Sequence, residues 1–185
     1  MNFNQHSNLL GKHAFLSASS YHWVNYSEER LEERLITAFA AQRGTELHEF
    51  ASKAITLGVK LPKTRTTLNM FVNDAIGYRM SSEQVLYYSD NAFGTADAIS
   101  FNRGRLRIHD LKTGVTKVSM IQLRIYMALF CLEYGIKPGK VDAELRIYQD
   151  DEVMVEHPEI DDILHIMDTI VTFDKRIDAI KEEVL

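Results

Sequence analysis

Val85 to Tyr88, Phe93 to Phe101 and Arg105 to Leu111 are three runs rich in β-forming residues, separated only by the turn-forming stretches SDN and NRG. Strands joined by so few residues pair antiparallel, so this part of the chain reads as a three-stranded meander. The flanking sequence reads as helix. Ser27 is placed to cap a helix with Glu28 and Glu29 in its first turn and Leu31, Leu35 and Phe39 at helical spacing. Gly44 is expected to interrupt that helix, Thr45 to Thr56 to continue it, and Gly58 to stop it. Thr66 or Thr67 opens another helix, with Leu68, Phe71, Val72, Ala75 and Ile76 as its apolar set. After the meander, Met120 to Tyr134 returns to helical spacing and ends at Gly135, with Pro138 beyond. Ala143 to Tyr148 and Glu152 to Val155 form two further strands around a QDD turn, and a polar-faced helix begins at Ile160. Ser17 or Ser19 caps a short helix through Tyr21, His22 and Trp23, and residues 1–15 read as loop. The order predicts an α/β (α+β-like) fold, a mixed sheet flanked by helices, in a single domain over 1–185 whose last helix, 159–185, packs on the core.

Hydrophobic residues at 45% and charged residues at 25% of the 185 positions describe an ordinary globular chain able to bury a core. The single cysteine, Cys131, excludes internal disulfides and any four-cysteine zinc or iron–sulfur site built from this chain alone. It sits in the apolar run IYMALFCL, which suits a buried small hydrophobe and is too short to cross a bilayer. The N-terminal stretch lacks the basic start and apolar block of a secretion signal, so the expected setting is intracellular, away from membranes. A net charge of −5 argues against a broad nucleic-acid surface, yet it leaves room for a local groove where acids face metal ions.

The chemistry-bearing residues fall at the strand ends. HDLKTG, at 109–114, places Asp110 and Lys112 on one face of a strand, together with Leu106 and Ile108. An acid and an ammonium on an inward face need partners or a job. One strand earlier Asp97 interrupts FGTADAIS, among Gly94, Ala96 and Ala98, which let another element approach closely. Antiparallel pairing would bring Asp97 near Asp110, and two carboxylates held close call for a proton or a cation between them. Shared facing requires an even number of turn residues, met by Asn102-Arg103, or a bulge to correct the parity if Gly104 makes a three-residue turn. Gln122 and Tyr126, four apart on one helix face, can reach the strand ends together.

GTADAI, LRIHDLKTG and QLRIY, with GTELH at 44–48, resemble the "GxxD", "DxK", "QxxxY" and "GxxxH" motifs of the RecB-type branch of the PD-(D/E)XK nuclease superfamily. LSASSYHW is similar to the "SxS" helix start of the same branch, and the resemblance spans roughly residues 16–150. It implies a restriction-endonuclease-like core and a Mg²⁺- or Mn²⁺-dependent deoxyribonuclease, an exonuclease that leaves 5′-phosphates in DNA recombination, replication or end processing. His48, Asp97, Asp110 and the main-chain carbonyl of Leu111 would hold the metal, which activates water and polarises the phosphate. Lys112 would orient the attacking water and offset transition-state charge, with Gln122 and Tyr126 positioning the lysine, the water or the DNA. Glu83, just before the strand VLYY, is a possible additional acid for a second metal. The four cysteines that clamp the cluster-bearing members are missing, so the chain is more similar to the stand-alone exonucleases of phages and plasmids. That implies the cytoplasm of a bacterium or phage-infected cell, DNA as partner, and a recombinase or single-strand-binding protein beside it.

Plainer readings stand next to each of these. Asp110 and Lys112 alone would be a surface ion pair worth under ~1 kcal/mol. His48 alone would be a satisfied, partly buried histidine, Tyr126 a core aromatic and Glu83 a solvated charge. His109 points to the opposite strand face and reads as structural, while His6, His13, His22, His157 and His165 show no ligand spacing. DLKTG also resembles the DKTG loop of ion-pumping ATPases, but Leu111 breaks the pattern. Lys60, Lys63, Arg65, Arg103, Arg105, Lys117 and Arg124 are candidates for phosphate contacts. A structure-selective endonuclease of the same chemistry, and a non-catalytic module gripping DNA ends or a partner on the nuclease fold, remain open alternatives.

Overall fold

The computed structural model describes residues 4–114 and 118–184. The chain divides into two compact units, Met1–Arg43 and Gly44–Leu185. In the first, a 3-10 helix spans Ala18–Asn25, with Ser17 at its N-cap position but without a side-chain capping bond. Trp23 Nε1 instead donates to the Ser17 carbonyl at 2.8 Å, and the Ser17 and Ser19 hydroxyls bond each other at 3.1 Å. Helix α1, Glu28–Leu57, begins as expected, with the Arg30 N–H donating to Ser27 Oγ at 3.2 Å. Leu31, Leu35 and Phe39 keep their helical spacing but are exposed.

Gly44 does not interrupt α1, which runs unbroken through it. A mid-helix glycine costs only about 1 kcal/mol and keeps its N–H in the ladder, so it weakens a helix without ending it. Its reason for being glycine lies outside the helix: a Cβ there would stand 2.8 Å from Thr113 Oγ1.

The second unit is mixed α/β. After α1 come α2 (Thr67–Gly77), β1 (Ser81–Ser89), β2 (Ala92–Asn102), β3 (Arg105–Leu111), α3 (Ile121–Tyr134), β4 (Asp142–Gln149), β5 (Glu152–Glu156) and α4 (Ile160–Val184). The five strands form one sheet in the order β1-β2-β3-β4-β5. Every neighbouring pair is antiparallel except β3 and β4, which run parallel because α3 carries the chain back between them. One core lies where α3 and α4 meet the sheet, around Leu106, Ile108, Leu123, Met127, Leu145 and Ile163. A second gathers Phe71, Val72 and Ala75 of α2 and Ala51, Ala54 and Ile55 of α1 onto Ala98, Leu111 and Tyr148. Each fully buried Leu, Ile or Phe contributes roughly 1.5–3 kcal/mol. Cys131 is buried in the first core, and burial pushes its thiol up to about 11.

One turn differs in detail from expectation. The β2–β3 turn is Arg103-Gly104, not Asn102-Arg103, since Asn102 pairs with Arg105. Both turn residues have positive φ, 50° and 81°, the primed geometry whose twist matches the strands and which favours glycine at its second position. The count is still even. In the QDD stretch Asp150 and Asp151 take φ of 50° and 59°, and Asp151 Oδ1 accepts the Thr67 N–H at 2.7 Å, capping α2 from the β4–β5 turn. Strand β1 begins at Ser81, four residues before the expected Val85, so Glu83 lies inside the strand rather than ahead of it. Ser81–Gln84 is polar and carries none of the alternation that marks a strand.

Candidate metal centre

Register brings three acids into line. Ser82 pairs with Ala98 and Gln84 with Ala96, which leaves Glu83 opposite Asp97. The β2–β3 ladder ends at Ala98–His109, and its next step falls on Asp97 and Asp110. The strand pattern breaks on this row. Glu83 has φ of 51°, and Ala96 packs in the core under α3 while Ala98, two residues on, packs in the core against α1 and α2. Regular alternation would put both alanines on one face. The even turn already sets Asp97 opposite Asp110, so their alignment needs no inserted residue; the departure from alternation is local to this row.

Around this row the side chains converge. His48 Nδ1 from α1 lies 3.4 Å from Asp97 Oδ2, and the same oxygen accepts the Leu111 N–H at 2.8 Å. His48, Glu83 and Asp97 each offer one ligand atom, all within 4.8 Å of one another; Asp110, expected among the ligands, falls outside this group and is tied to Lys112 instead. N–H and C=O of a strand residue point the same way, so the Leu111 peptide presents its carbonyl toward this side too. Asp110 is 1% exposed. Its Oδ1 accepts from Lys112 Nζ at 3.2 Å, while Oδ2, 2.9 Å from the same ammonium but off the hydrogen-bonding line, has no hydrogen-bond donor. Lys112 Nζ donates onward to Gln122 Oε1 at 2.8 Å, and Gln122 Nε2 to Tyr126 Oη at 3.0 Å. Asp110, Lys112, Gln122 and Tyr126 thus form one continuous chain.

Both motif glycines make room for neighbours. A Cβ on Gly94 would stand 2.9 Å from Tyr126 Cε1, so the tyrosine ring lies directly over β2, and Gly44 admits Thr113. In each case an added Cβ would force the neighbouring side chain to shift.

The electrostatics match a crowded acidic pocket. Burial, then repulsion from Asp97, pushes Asp110 up to about 6 against the pull of Lys112. Burial and Asp97 likewise raise Glu83. The Asp97 hydrogen bond raises His48 despite its burial. Burial raises Tyr126, keeping it a neutral hydroxyl.

A hard divalent cation fits this donor set. A buried carboxylate oxygen lacks a hydrogen-bond donor, two acids are driven toward protonation, and one imidazole joins an otherwise all-oxygen group. Octahedral oxygens at about 2.1 Å stand about 3–4 Å apart, and the three ligand atoms lie within 4.8 Å of one another.

Other candidates fall elsewhere. His109 is on the α2 side, fully buried, with Nδ1 3.2 Å from Tyr148 Oη; burial and the cations Arg146 and Arg107 push it down to about 3. Among the phosphate candidates, Arg124 is held by Glu156 at 2.7 Å and Asp162 at 3.0 Å, and Arg105 by Asp142 at 2.6 Å, so these charges are already engaged. Lys60, Lys63, Arg65 and Arg103 are exposed, and Lys117 lies outside the described residues. Ser17 and Ser19 belong to the other unit. Glu83 is exposed, and its place beside His48 and Asp97 rests on a positive φ inside a polar strand start, which no pattern signals.

No helix among the described residues is long and apolar enough to cross a membrane. No family model, curated protein or solved structure matches this chain.

Proposed function

We propose that the chain is a Mg²⁺- or Mn²⁺-dependent deoxyribonuclease on a PD-(D/E)XK core of the RecB type, acting as an exonuclease. The observation that carries this reading is the convergence of His48, Glu83 and Asp97 with the hydrogen-bonded chain Asp110–Lys112–Gln122–Tyr126. A surface ion pair would not bury Asp110, and a relic site would have no reason to hold Lys112 from two sides.

His48, Asp97 and Asp110, with the Leu111 carbonyl and Glu83, would hold the cation. Bound there, it supplies Lewis acidity to the scissile phosphate and to an attacking water. The remaining work belongs to the chain. Lys112 carries a flexible side chain worth about 2 kcal/mol of rotamer entropy, and the bonds to Asp110 and Gln122 fix it before substrate arrives. Its ammonium then stands ready to orient water and to stabilise the charge that grows on the phosphate oxygens. Gln122 is oriented by Tyr126, and Gly94 leaves the space that the Tyr126 ring occupies. Hydrolysis consumes water and yields a 5′-phosphate and a 3′-hydroxyl.

The test is incubation of the purified protein with Mg²⁺ or Mn²⁺ on end-labelled linear DNA and closed circular DNA, beside Lys112→Ala. Loss of linear DNA alone, abolished in Lys112→Ala, is the expected result. Nicked circles would indicate an endonuclease of the same chemistry. Intact DNA with the unmutated protein would refute the enzyme and leave a binding module.

A further inference from the structure

Strand β1 starts opposite Ile99, whereas β2 continues to Asn102, so the last three residues of β2 have no strand on their β1 side. A cleft of about 660 Å³ opens at this step, at the end of β2 away from Asp97. Its aromatic wall is continuous: the Phe101 ring lies 5.1 Å from Phe130, and Phe130 lies 4.9 Å from Tyr134. Phe130 is buried, but Phe101 and Tyr134 are 43% and 54% exposed. Large rings left half in water at a concave site are available to a flat partner.

The polar lining has matching chemistry. Ser81, Ser100 and Asn102 border the cleft, and among the described residues their side chains make no hydrogen bond to the protein. Arg79 borders it as well, exposed and without an ion pair among the described residues. It takes φ of 54°, a conformation that favours glycine, so the turn between α2 and β1 holds an arginine where a glycine would be less strained. Exposed aromatic faces, hydroxyls, an amide and an uncommitted guanidinium are the groups that grip an unpaired nucleotide: stacking for the base, hydrogen bonds for its edge, charge for its phosphate.

One helix ridge links this cleft to the metal centre. Gln122, Tyr126, Phe130 and Tyr134 follow at four-residue spacing along α3, from the residue that touches Lys112 to the residue at the cleft. The ridge is about 18 Å long, roughly five nucleotides at about 3.4 Å each and fewer for a stretched strand.

We propose that the cleft of Phe101, Tyr134 and Arg79 is a stacking site for unpaired bases of single-stranded DNA, holding the strand whose other end lies in the metal centre. The choice of DNA rests on the nuclease reading; the stacking chemistry does not. Affinity is read by fluorescence anisotropy in EDTA, using a short labelled oligothymidylate and a fully paired duplex. Tyr134→Ala and Phe101→Ala should each weaken oligothymidylate binding about tenfold and leave duplex binding unchanged, because stacking needs an unpaired base. Arg79→Gly should lower the slope of log affinity against log salt by about 0.7, one phosphate contact, while thermal stability holds or rises as φ relaxes. Variants that bind oligothymidylate like the parent, or lose single strand and duplex alike, overturn the proposal. Hydrolysis of bis(p-nitrophenyl) phosphate with Mn²⁺, too small to span to the cleft, separates the two ideas. Unchanged rates in Tyr134→Ala support a pure binding role, and a loss there overturns it. If the parent protein itself is inert, the nuclease reading falls while the anisotropy result still decides the cleft.

Discussion

Asp110→Asn should make the metal-free protein more stable while removing its activity. The Asp110 carboxyl is 1% exposed, next to Asp97, and is pushed from its ordinary 3.8 up to about 6 by burial first and by that neighbour second. At 1.36 kcal/mol per pH unit, the ionised group costs the folded state about 3 kcal/mol at neutral pH. The sign follows from the proton count. Between about 3.8 and 6 the folded state holds a proton that the unfolded state has released, so stability falls as pH rises through that window. Asparagine does not titrate and escapes this loss. About 3 kcal/mol is a ceiling, because the new amide N–H must find its own partner. For a chain of this size it corresponds to a rise in Tm of about 6–12 °C. The assay is urea unfolding of both proteins in EDTA from pH 4 to pH 8, read as a difference so that other titrating groups cancel. The gap should be small near pH 4 and full above about pH 6.5. Adding divalent cation at 100 times its Kd should return about 2.7 kcal/mol to the parent alone. A variant no more stable than the parent at pH 8, or a gap that does not close toward pH 4, would refute the account of a carboxylate raised by burial and by its acidic neighbour.

Lys112→Ala should lose at least 100-fold in kcat yet keep the Mn²⁺-induced rise in Tm, since in the proposed mechanism the lysine serves water and phosphate rather than the metal. His48→Ala should weaken that Tm rise more for Mn²⁺ than for Mg²⁺, because imidazole suits the softer ion; equal loss for both would count against His48 as a ligand. Gly94→Ala puts a methyl 2.9 Å from the Tyr126 ring and should cost about 1–3 kcal/mol of stability, largely recovered when Tyr126→Leu is added, as a double-mutant cycle would measure. His109 is neutral in the fold and held down to about 3, so its contribution is intact above about pH 6.5 and lost as pH falls toward 3. His109→Phe should therefore flatten acid unfolding followed by circular dichroism over that range.

The strands and helices were legible where pattern and chemistry coincided. QDD and the Gly135 stop marked real turns because those residues tolerate positive φ or lack a Cβ, and SDN because the Ser89 hydroxyl accepts the Asn91 N–H. The triplet of Asp110, Leu111 and Lys112 foretold that the acid and the ammonium share a face, because strand periodicity fixes facing over so short a distance; their ion pair had been only the plainer reading. Gly44 misled because composition cannot distinguish a helix breaker from a helix residue that another segment must approach. The first half of α1 kept its spacing but left Leu31, Leu35 and Phe39 exposed, since a stripe in sequence does not say what covers it. Glu83 was hardest to read. Its place depends on a local break in two neighbouring strands, a tertiary event with no residue type of its own.

The hairpin of β2 and β3 has a consequence for how this protein can change. Its tip, Arg103-Gly104, lies six residues from Asp97 and Asp110 alike, and works as a ruler for them. Adding one residue at the tip would turn one carboxylate over relative to the other and disassemble the pocket without touching it. Adding two would slide the strands yet preserve their facing. Loop tips are usually where a chain tolerates insertion most freely; here length at the tip is tied to chemistry at the opposite end, and drift there should proceed in pairs.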